Sequence, residues 1–361
     1  MKNWQKIKAD PSLKTRFLIR EKVLDALRLF FKQQGFHEVE TPLMVSVPST
    51  EPYFNLFESK LQLTDGQEKP AYLTTSPEYA MKKLLAAGFG NIFQICKTFR
   101  NQESLGGLHN PEFSILEFYR VNANYFELMD DFAKMLSFIC QSLEIDEKNF
   151  VYQSRTFDLS APYPKFSVAE LFQKYLDLNL EQIFDLRAIC LKALELGYDL
   201  SGLKSLSKDL IWEEVYNQLF LNEIEPQLAK FNQPVIVYDY PAKQTALAQA
   251  SKKDVRFAER FEVYLAGMEL GNAFGELIDA NLQKEGLKAD LQLRHDLGKK
   301  AQPIDQDFLD ALKSGLPVCS GMAVGVDRLA MLFADVDDIN DVLLFPASEL
   351  FLDQIKIPGV K

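Results

Sequence analysis

Histidine, paired cysteine, excess positive charge and long apolar runs are all scarce in this chain, and each scarcity excludes something. Only three histidines occur in 361 residues, His37, His109 and His295, so a His-rich metal centre or a His-based triad has little to draw on. The four cysteines, Cys96, Cys140, Cys190 and Cys319, lie far apart and form no C-x-x-C pair. A structural zinc or a disulfide framework is therefore not expected, and thiols of a reducing cytoplasm are. The start, Met1-Lys2-Asn3-Trp4-Gln5, has no apolar signal region, and no run approaches the roughly 18 apolar residues of a membrane span. A cytoplasmic protein with no membrane partner is the expectation. Lysine and arginine total 40 against 51 aspartates and glutamates, a net charge of −11. That argues against a protein built to coat nucleic acid, although a local basic groove stays open.

What is present is apolar substance, 47% of residues, enough for a large enzyme core. Phe17, Leu18, Val23, Leu24, Leu27, Phe30 and Phe31 recur at helical spacing and predict a helix over 14–35, with Gly35 at its C-terminal cap. A short strand follows at 36–42, stopped by Pro42. Strands are expected within 57–75 around the turn Asp65-Gly66. A helix over 76–87 would take Ser76 as its cap and Pro77 as its first residue. Two antiparallel strands are expected at 92–100 and 112–121, joined by the loop 101–111. A helix covers about 125–144, and a mixed, mostly helical stretch covers 150–230. Strands are expected at 234–240, 258–267 and within 269–281, and helices at 281–300 and 305–314. A glycine-rich passage from strand to helix closes the pattern at 319–334. No repeat, low-complexity tract or linker interrupts it, so a single catalytic domain over 1–361 is the simplest partition.

Two arginines stand in unusual surroundings. Arg100 ends an apolar strand in Phe99-Arg100-Asn101-Gln102-Glu103, and His109-Asn110-Pro111-Glu112-Phe113 leads back beside it. Arg328 ends Gly321-Met322-Ala323-Val324-Gly325-Val326-Asp327-Arg328. A strand-end arginine is ordinarily a surface group, and glycines before a helix ordinarily serve close packing. Together they can do more. Two guanidiniums can hold a bent nucleoside triphosphate between them, an aromatic such as Phe113 offers a face to adenine, and a helix start favours phosphate. Glu262, Glu269 and Glu276 are spaced by seven. On a helix that spacing would be a solvated face, but the glycine- and β-branched-rich surroundings read as strands. Carboxylates facing a triphosphate repel it unless Mg²⁺ lies between, and Mg²⁺ prefers one or two carboxylates plus phosphate oxygens. Glu262 and Glu269 are the candidate metal ligands. Glu276, with Glu78, Glu117 and Tyr119, is left to meet a cation, because grouped acids in a pocket are costly unless paired. A diamino acid is the economical partner, one ammonium held by Glu78 and the distal one by Glu117, Glu276 and Tyr119. No acid–base pair stands out. Attack of a carboxylate on the α-phosphorus of ATP needs alignment and charge neutralisation more than proton transfer.

These segments resemble motifs 2 (about 92–121) and 3 (about 319–334) of the class II aminoacyl-tRNA synthetases, in the lysine, aspartate and asparagine subgroup. Glu38-Val39-Glu40-Thr41-Pro42 resembles motif 1 (about 36–46), which builds the dimer interface in that family. Tyr240-Pro241-Ala242-Lys243-Gln244-Thr245 and Ala258-Glu259-Arg260-Phe261-Glu262 match the lysine members. Motif 1 begins near residue 36, leaving no room for the anticodon-reading OB-fold domain of a lysyl-tRNA synthetase. The resemblance is therefore to the truncated paralogues that ligate lysine, preferably (R)-β-lysine, to elongation factor P. Thr75-Ser76-Pro77-Glu78-Tyr79 fits them, as does Ala323 where lysyl-tRNA synthetases carry glycine, a change that would reshape the amino-acid pocket.

The resemblance implies an α+β class II synthetase fold, an antiparallel sheet flanked by helices, in a homodimer. It implies ATP as substrate with Mg²⁺, and Arg100 and Arg328 as the catalytic pair. ATP would meet Arg100, Asn101, Gln102, Asn110, Phe113, Glu269, Leu270, Gly325 and Arg328. The amino acid would meet Ser76, Pro77, Glu78, Glu117, Tyr119, Asn272, Glu276 and Ala323. Elongation factor P would be the acceptor, and full-length tRNA would not. Two departures stand out. Gln102 replaces a glutamate, with Glu103 as its substitute, and Leu105-Gly106-Gly107-Leu108 lacks the arginine that precedes His-Asn-Pro. Two alternatives stay open: a lysine-activating enzyme with another acceptor, and a paralogue that binds lysine or ATP without turnover.

Overall fold

A row of apolar side chains on alternate positions fixes how the strands stack. The computed structural model describes residues 1–351. Its strands run, in chain order, β1 His37–Glu38, β2 Met44–Val45, β3 Glu58–Gln62, β4 Glu68–Leu73, β5 Ile92–Phe99, β6 Glu112–Val121, β7 Phe150–Tyr152 and β8 Arg155–Phe157. They continue with β9 Lys165–Ser167, β10 Val235–Pro241, β11 Phe257–Leu265, β12 Met268–Gly275 and β13 Cys319–Gly325. The main sheet has eight strands in the order β1-β5-β6-β13-β12-β11-β10-β9. Only its two outermost pairings, β1 with β5 and β9 with β10, are parallel. The rest is antiparallel, which permits one greasy and one polar face.

The greasy face carries Phe93, Leu116, Phe118, Met322, Val324, Ala273, Phe261 and Val263, all buried. Helices Lys14–Gln33, Tyr125–Ser142 and Val326–Phe333 cover it. Phe31 is the meeting point: its ring stacks on Phe93 at 5.1 Å and tilts onto Phe118 at 4.7 Å. Its helix ends at Gln33, and Gly35 takes φ +78°, where a side chain would be strained. Residues 168–231 form a helical block with its own apolar cluster, closed by Val235, Val237, Tyr240 and Tyr264 of the main sheet.

The expected elements are found with shifted ends. The strand expected over 36–42 is only His37–Glu38, although the Val39 N–H still donates to Phe93 O at 2.9 Å. The helix expected from Pro77 begins at Glu78, with Pro77 in the cap position. Ser76 Oγ accepts from the Glu78 N–H at 3.1 Å and also donates to Glu117. A tertiary partner there competes with simple capping.

One buried carboxylate locks the polar face to the greasy one. Asp327, at the start of helix Val326–Phe333, accepts from Arg20 Nη2 at 2.8 Å and from the Ser114 N–H at 2.7 Å. It thereby joins the helix carrying Arg328, the strand after the 101–111 loop, and helix Lys14–Gln33. Asp327→Ala leaves the buried Ser114 N–H unpaired and Arg20 with only Ser114 Oγ, so it should cost about 1–3 kcal/mol in denaturant unfolding. A loss under about 1 kcal/mol would mean that the three elements do not depend on this joint.

Candidate active site

Two rows of side chains cross the polar face in register. One runs Gln94, Glu117, Ala323, Asn272, Glu262 across β5, β6, β13, β12 and β11. Another runs Ile92, Tyr119, Gly321 on β5, β6 and β13, and Gly321 pairs in turn with Phe274 and Phe274 with Arg260. Period-two alternation sends every member to the same side, where a cavity of about 390 Å³ lies. Gly321 is obligatory, because a Cβ there would overlap the Tyr119 ring and Glu276 Oε1. Ala323, two residues on, has room for its methyl and lines the cavity.

Carboxylates crowd one end. Glu117 accepts from the Tyr119 hydroxyl at 2.5 Å and from Ser76 Oγ at 2.8 Å. Glu78 and Glu276 line the same space, and Glu51 stands between them and Arg100. A cation not singled out in the sequence stands among them. The Lys82 side chain is fully buried, with Nζ 2.6 Å from Glu78 Oε1 and 2.5 Å from Glu276 Oε2. Burial works against its charge, but Glu276 and Glu78 hold its pKa above the ordinary value. The acids are thus partly compensated from within. The compensation is incomplete: burial raises Glu51 to about 7, Glu117 to about 8, helped by Glu78, and Glu276 to about 7 despite Lys82.

The other end carries guanidiniums. Arg100 lies over the Phe54 ring at 3.7 Å and 5.1 Å from the Phe113 centroid. Its Nε is buried without a partner, a donor free for a ligand. Arg328 donates to Glu269 O at 2.6 Å, with the Glu269 carboxylate 3.7 Å away. His109 Nε2 is 3.4 Å from Arg328 Nη2, and burial followed by Arg328 lowers its pKa. Phe113, Leu270, Gly325 and Asn110 also line the cavity. Both amide atoms of Asn110 already serve the fold, donating to Glu112 O at 2.5 Å and accepting from the Ala347 N–H at 3.0 Å.

Three expected residues lie off the cavity wall. Asn101 donates to Leu56 O at 3.3 Å, and its Oδ1 accepts from the Gln102 N–H. Gln102 sits at φ +62° and is exposed, whereas Glu103 does line the cavity. Pro77 borders a neighbouring cavity of about 730 Å³.

The two candidate metal ligands differ. Both Glu262 oxygens have protein donors, Arg260 on one and the Tyr240 and Tyr264 hydroxyls on the other. Glu269 has only the distant Arg328 contact, and enclosure together with Glu262 raises its pKa. A cation between the two would relieve that repulsion, so Glu269 fits as a direct ligand and Glu262 as its electrostatic support. Among the described residues no group of three or more His, Cys, Asp or Glu gathers for a metal.

Comparison with known proteins decides the family. The model for class II tRNA synthetases (D, K and N) matches residues 2–349. The chain belongs to that family. It is also 38% identical over 331 residues to an elongation factor P–(R)-β-lysine ligase of Avibacterium paragallinarum, covering 91% of this chain and 94% of the relative. Proteins of the same name from Histophilus somni and Salmonella paratyphi A are equally similar, at 38% over 333 and 347 residues. They cover 91% and 95% of this chain and 94% and 97% of their own length. This class II family member is thus an enzyme of the ligase type, and its large antiparallel-rich sheet flanked by helices is the expected fold.

Sequence reasoning missed Glu51, Phe54, Lys82 and Arg260 as parts of this class II site. Glu78 and Lys82 are four apart on one helix, a legible pairing signal. Segment 49–55 carries no periodicity, and Arg294 fixes it by donating to Glu51 O at 2.7 Å and Phe54 O at 3.0 Å.

The raised carboxyls make a pH-dependent test. A group whose folded pKa is raised contributes stability below its ordinary value and loses it as pH rises through the folded value. Without a cationic ligand the protein should lose the contribution of Glu51, Glu117 and Glu276 between about pH 5 and 8. A bound dication favours their ionised forms. Lysine should therefore bind with proton release near pH 7 and raise Tm more at pH 8 than at pH 6. Calorimetry in buffers of different ionisation enthalpy checks this, and binding without proton release would contradict it.

Proposed function

We propose that this protein activates lysine or (R)-β-lysine with ATP and transfers it to a lysine side chain of elongation factor P. The observation that carries the reading is the cavity's polarity. At one end Glu78, Glu117 and Glu276 meet a single buried cation, Lys82, while toward the other end Arg100, Arg328 and Arg260 stand among Glu51, Glu103, Glu262 and Glu269. A diamino acid would set its ammoniums among the carboxylates and turn its own carboxylate toward Arg100. That oxygen would attack the α-phosphorus, the bond to the bridging oxygen would break, and pyrophosphate would leave, giving an aminoacyl-adenylate. The acceptor's neutral ε-amine would then attack the carbonyl carbon, forming an amide, losing a proton and releasing AMP.

In this scheme the chain's work is positioning and charge neutralisation. Phe113 and Arg328 would flank adenine, and Arg100, with its unpartnered Nε, would hold the α-phosphate. Mg²⁺, next to Glu269 with Glu262 behind it, would supply charge neutralisation on the phosphates. Motif 1 leaves Leu43 and Met44 exposed, which supports a homodimer through that segment. The names of the relatives support elongation factor P as acceptor and (R)-β-lysine as the amino acid. A cytoplasmic setting fits a translation factor as partner.

A second reading is binding without turnover. Its support is the loop Leu105-Gly106-Gly107-Leu108, which has no arginine and is docked by the Ile339 N–H on Gly107 O at 2.8 Å. Lysine-dependent ATP–pyrophosphate exchange separates the two. We expect exchange in the wild type and its loss in Glu269→Ala with circular dichroism and Tm unchanged. Normal exchange in that variant would remove Glu269 from the metal site, and none in the wild type would favour the binding reading.

The acceptor is tested by offering labelled lysine and (R)-β-lysine with purified elongation factor P or tRNA. Mass spectrometry should find a lysyl or β-lysyl amide on the factor and negligible charging of tRNA, for which the acidic chain offers little non-specific attraction. Efficient charging of tRNA with an unmodified factor would overturn the assignment.

A further inference from the structure

Lys82 takes no part in the bond-making steps above, yet it is built into the site with care. Its helix, Glu78–Ala86, brings Glu78 and Lys82 to one face. Lys82 then bridges Glu78 to Glu276, which belongs to the opposite wall just past β12. Oε2 of Glu276 is the atom that meets Lys82, while Oε1 lies beside the space where a Cβ of residue 321 would stand, against the Tyr119 ring. The carboxylate is thus clamped between an ammonium on one side and a glycine–tyrosine floor on the other. Glutamate has three rotatable bonds, and without the clamp its head would sample several rotamers.

We propose that Lys82 is a positioning residue that sets the length of the amino acid accepted. By pinning Glu276 it fixes the depth at which a distal ammonium is held, and so selects a linear diamino acid of lysine's length over shorter homologues. The inference rests on the lysine reading of the site. It also accounts for the placing of a cation inside a pocket meant for cations. Lys82 neutralises the carboxylates that orient the ligand while leaving Glu117 and Glu51 to compensate the ligand's charge. Breaking a buried pair by removing one partner is costly, so the clamp is held firmly.

The test compares the better of lysine and (R)-β-lysine with its homologue one methylene shorter, in ATP–pyrophosphate exchange. One methylene is ordinarily worth about 10–200-fold in kcat/KM, and the wild type should show a preference in that range. Lys82→Met should lower the preference at least about tenfold while KM for ATP stays within about twofold. Lys82→Arg, which keeps the charge, should retain most of it. A merely structural lysine would depress both amino acids and ATP alike and leave the ratio unchanged, which overturns the proposal.

If Lys82→Met does not fold, Glu78→Gln is compared with Glu78→Gln/Lys82→Met, in which one charge of each sign is lost together. The positioning role lowers the ratio in the double variant below that of Glu78→Gln, and equal ratios overturn it. A wild type that activates neither amino acid overturns the activation reading along with this one. A wild-type preference that survives intact in Lys82→Met overturns the positioning role alone.

Discussion

Everything at this site depends on keeping several carboxylates ionisable in a space that disfavours their charge. Moving one carboxylate out of water costs several kcal/mol even after relaxation. Glu51, Glu78, Glu117, Glu262, Glu269 and Glu276 share one cavity. The fold answers with three devices. Lys82 bridges Glu78 and Glu276, Arg260 and two tyrosines surround Glu262, and Ser76 and Tyr119 donate to Glu117. None of these exhausts the charge, as the upward displacement of Glu51, Glu117, Glu269 and Glu276 records. The residual demand for cations is what the protein offers a ligand.

That arrangement needs a rigid platform, and antiparallel pairing supplies one. A one-residue slip in any central strand would send Glu117 or Asn272 into the greasy face and Phe118 or Ala273 into the cavity. Phe31, stacked on Phe93 and Phe118, penalises such a slip by the apolar area it would expose. Asp327 performs the matching task on the polar side by tying Arg20 and the Ser114 backbone together. Core and site are therefore two faces of one register.

Much of this was legible from residue order. The paired strands around the 101–111 loop, the long helix ending near Gly35, and the passage into Val326–Phe333 follow from apolar period and glycine placement, and each is found. The gathering of Glu117, Tyr119 and Glu276 about one cavity was expected from the grouping of acids, and that of Asn272 and Ala323 from family likeness. What escaped shares a physical cause: it depends on contacts between segments far apart in sequence. Phe54 meets Arg100 from a segment whose backbone is held by Arg294, some 240 residues on. Lys82 carried a local hint in its spacing from Glu78, but Glu276 completes its bridge from 194 positions away. Ser76 reads locally as a cap, which it is for the Glu78 N–H, but nothing local reveals that it also donates to Glu117. Local propensity describes a segment's preference, and tertiary partners overrule it at the ends of elements.

The last step concerns direction. The three guanidiniums stand toward one end of the cavity with Glu262 and Glu269 between them, and the carboxylates in excess over Lys82 stand at the other. On the proposed function, a molecule with an ammonium at one end and a carboxylate at the other would set its ammonium among the surplus carboxylates, and reversing it would set its carboxylate against them. Because the cavity walls exclude much of the water, those contacts act in a lower dielectric than at an open surface. That orientation would also bring the ligand's carboxylate toward Arg100, where the proposed function holds an α-phosphate. On the proposed function, charge placement would perform in one stroke the selection of a diamino acid and the alignment of its reacting oxygen, which is most of what that chemistry asks of a protein.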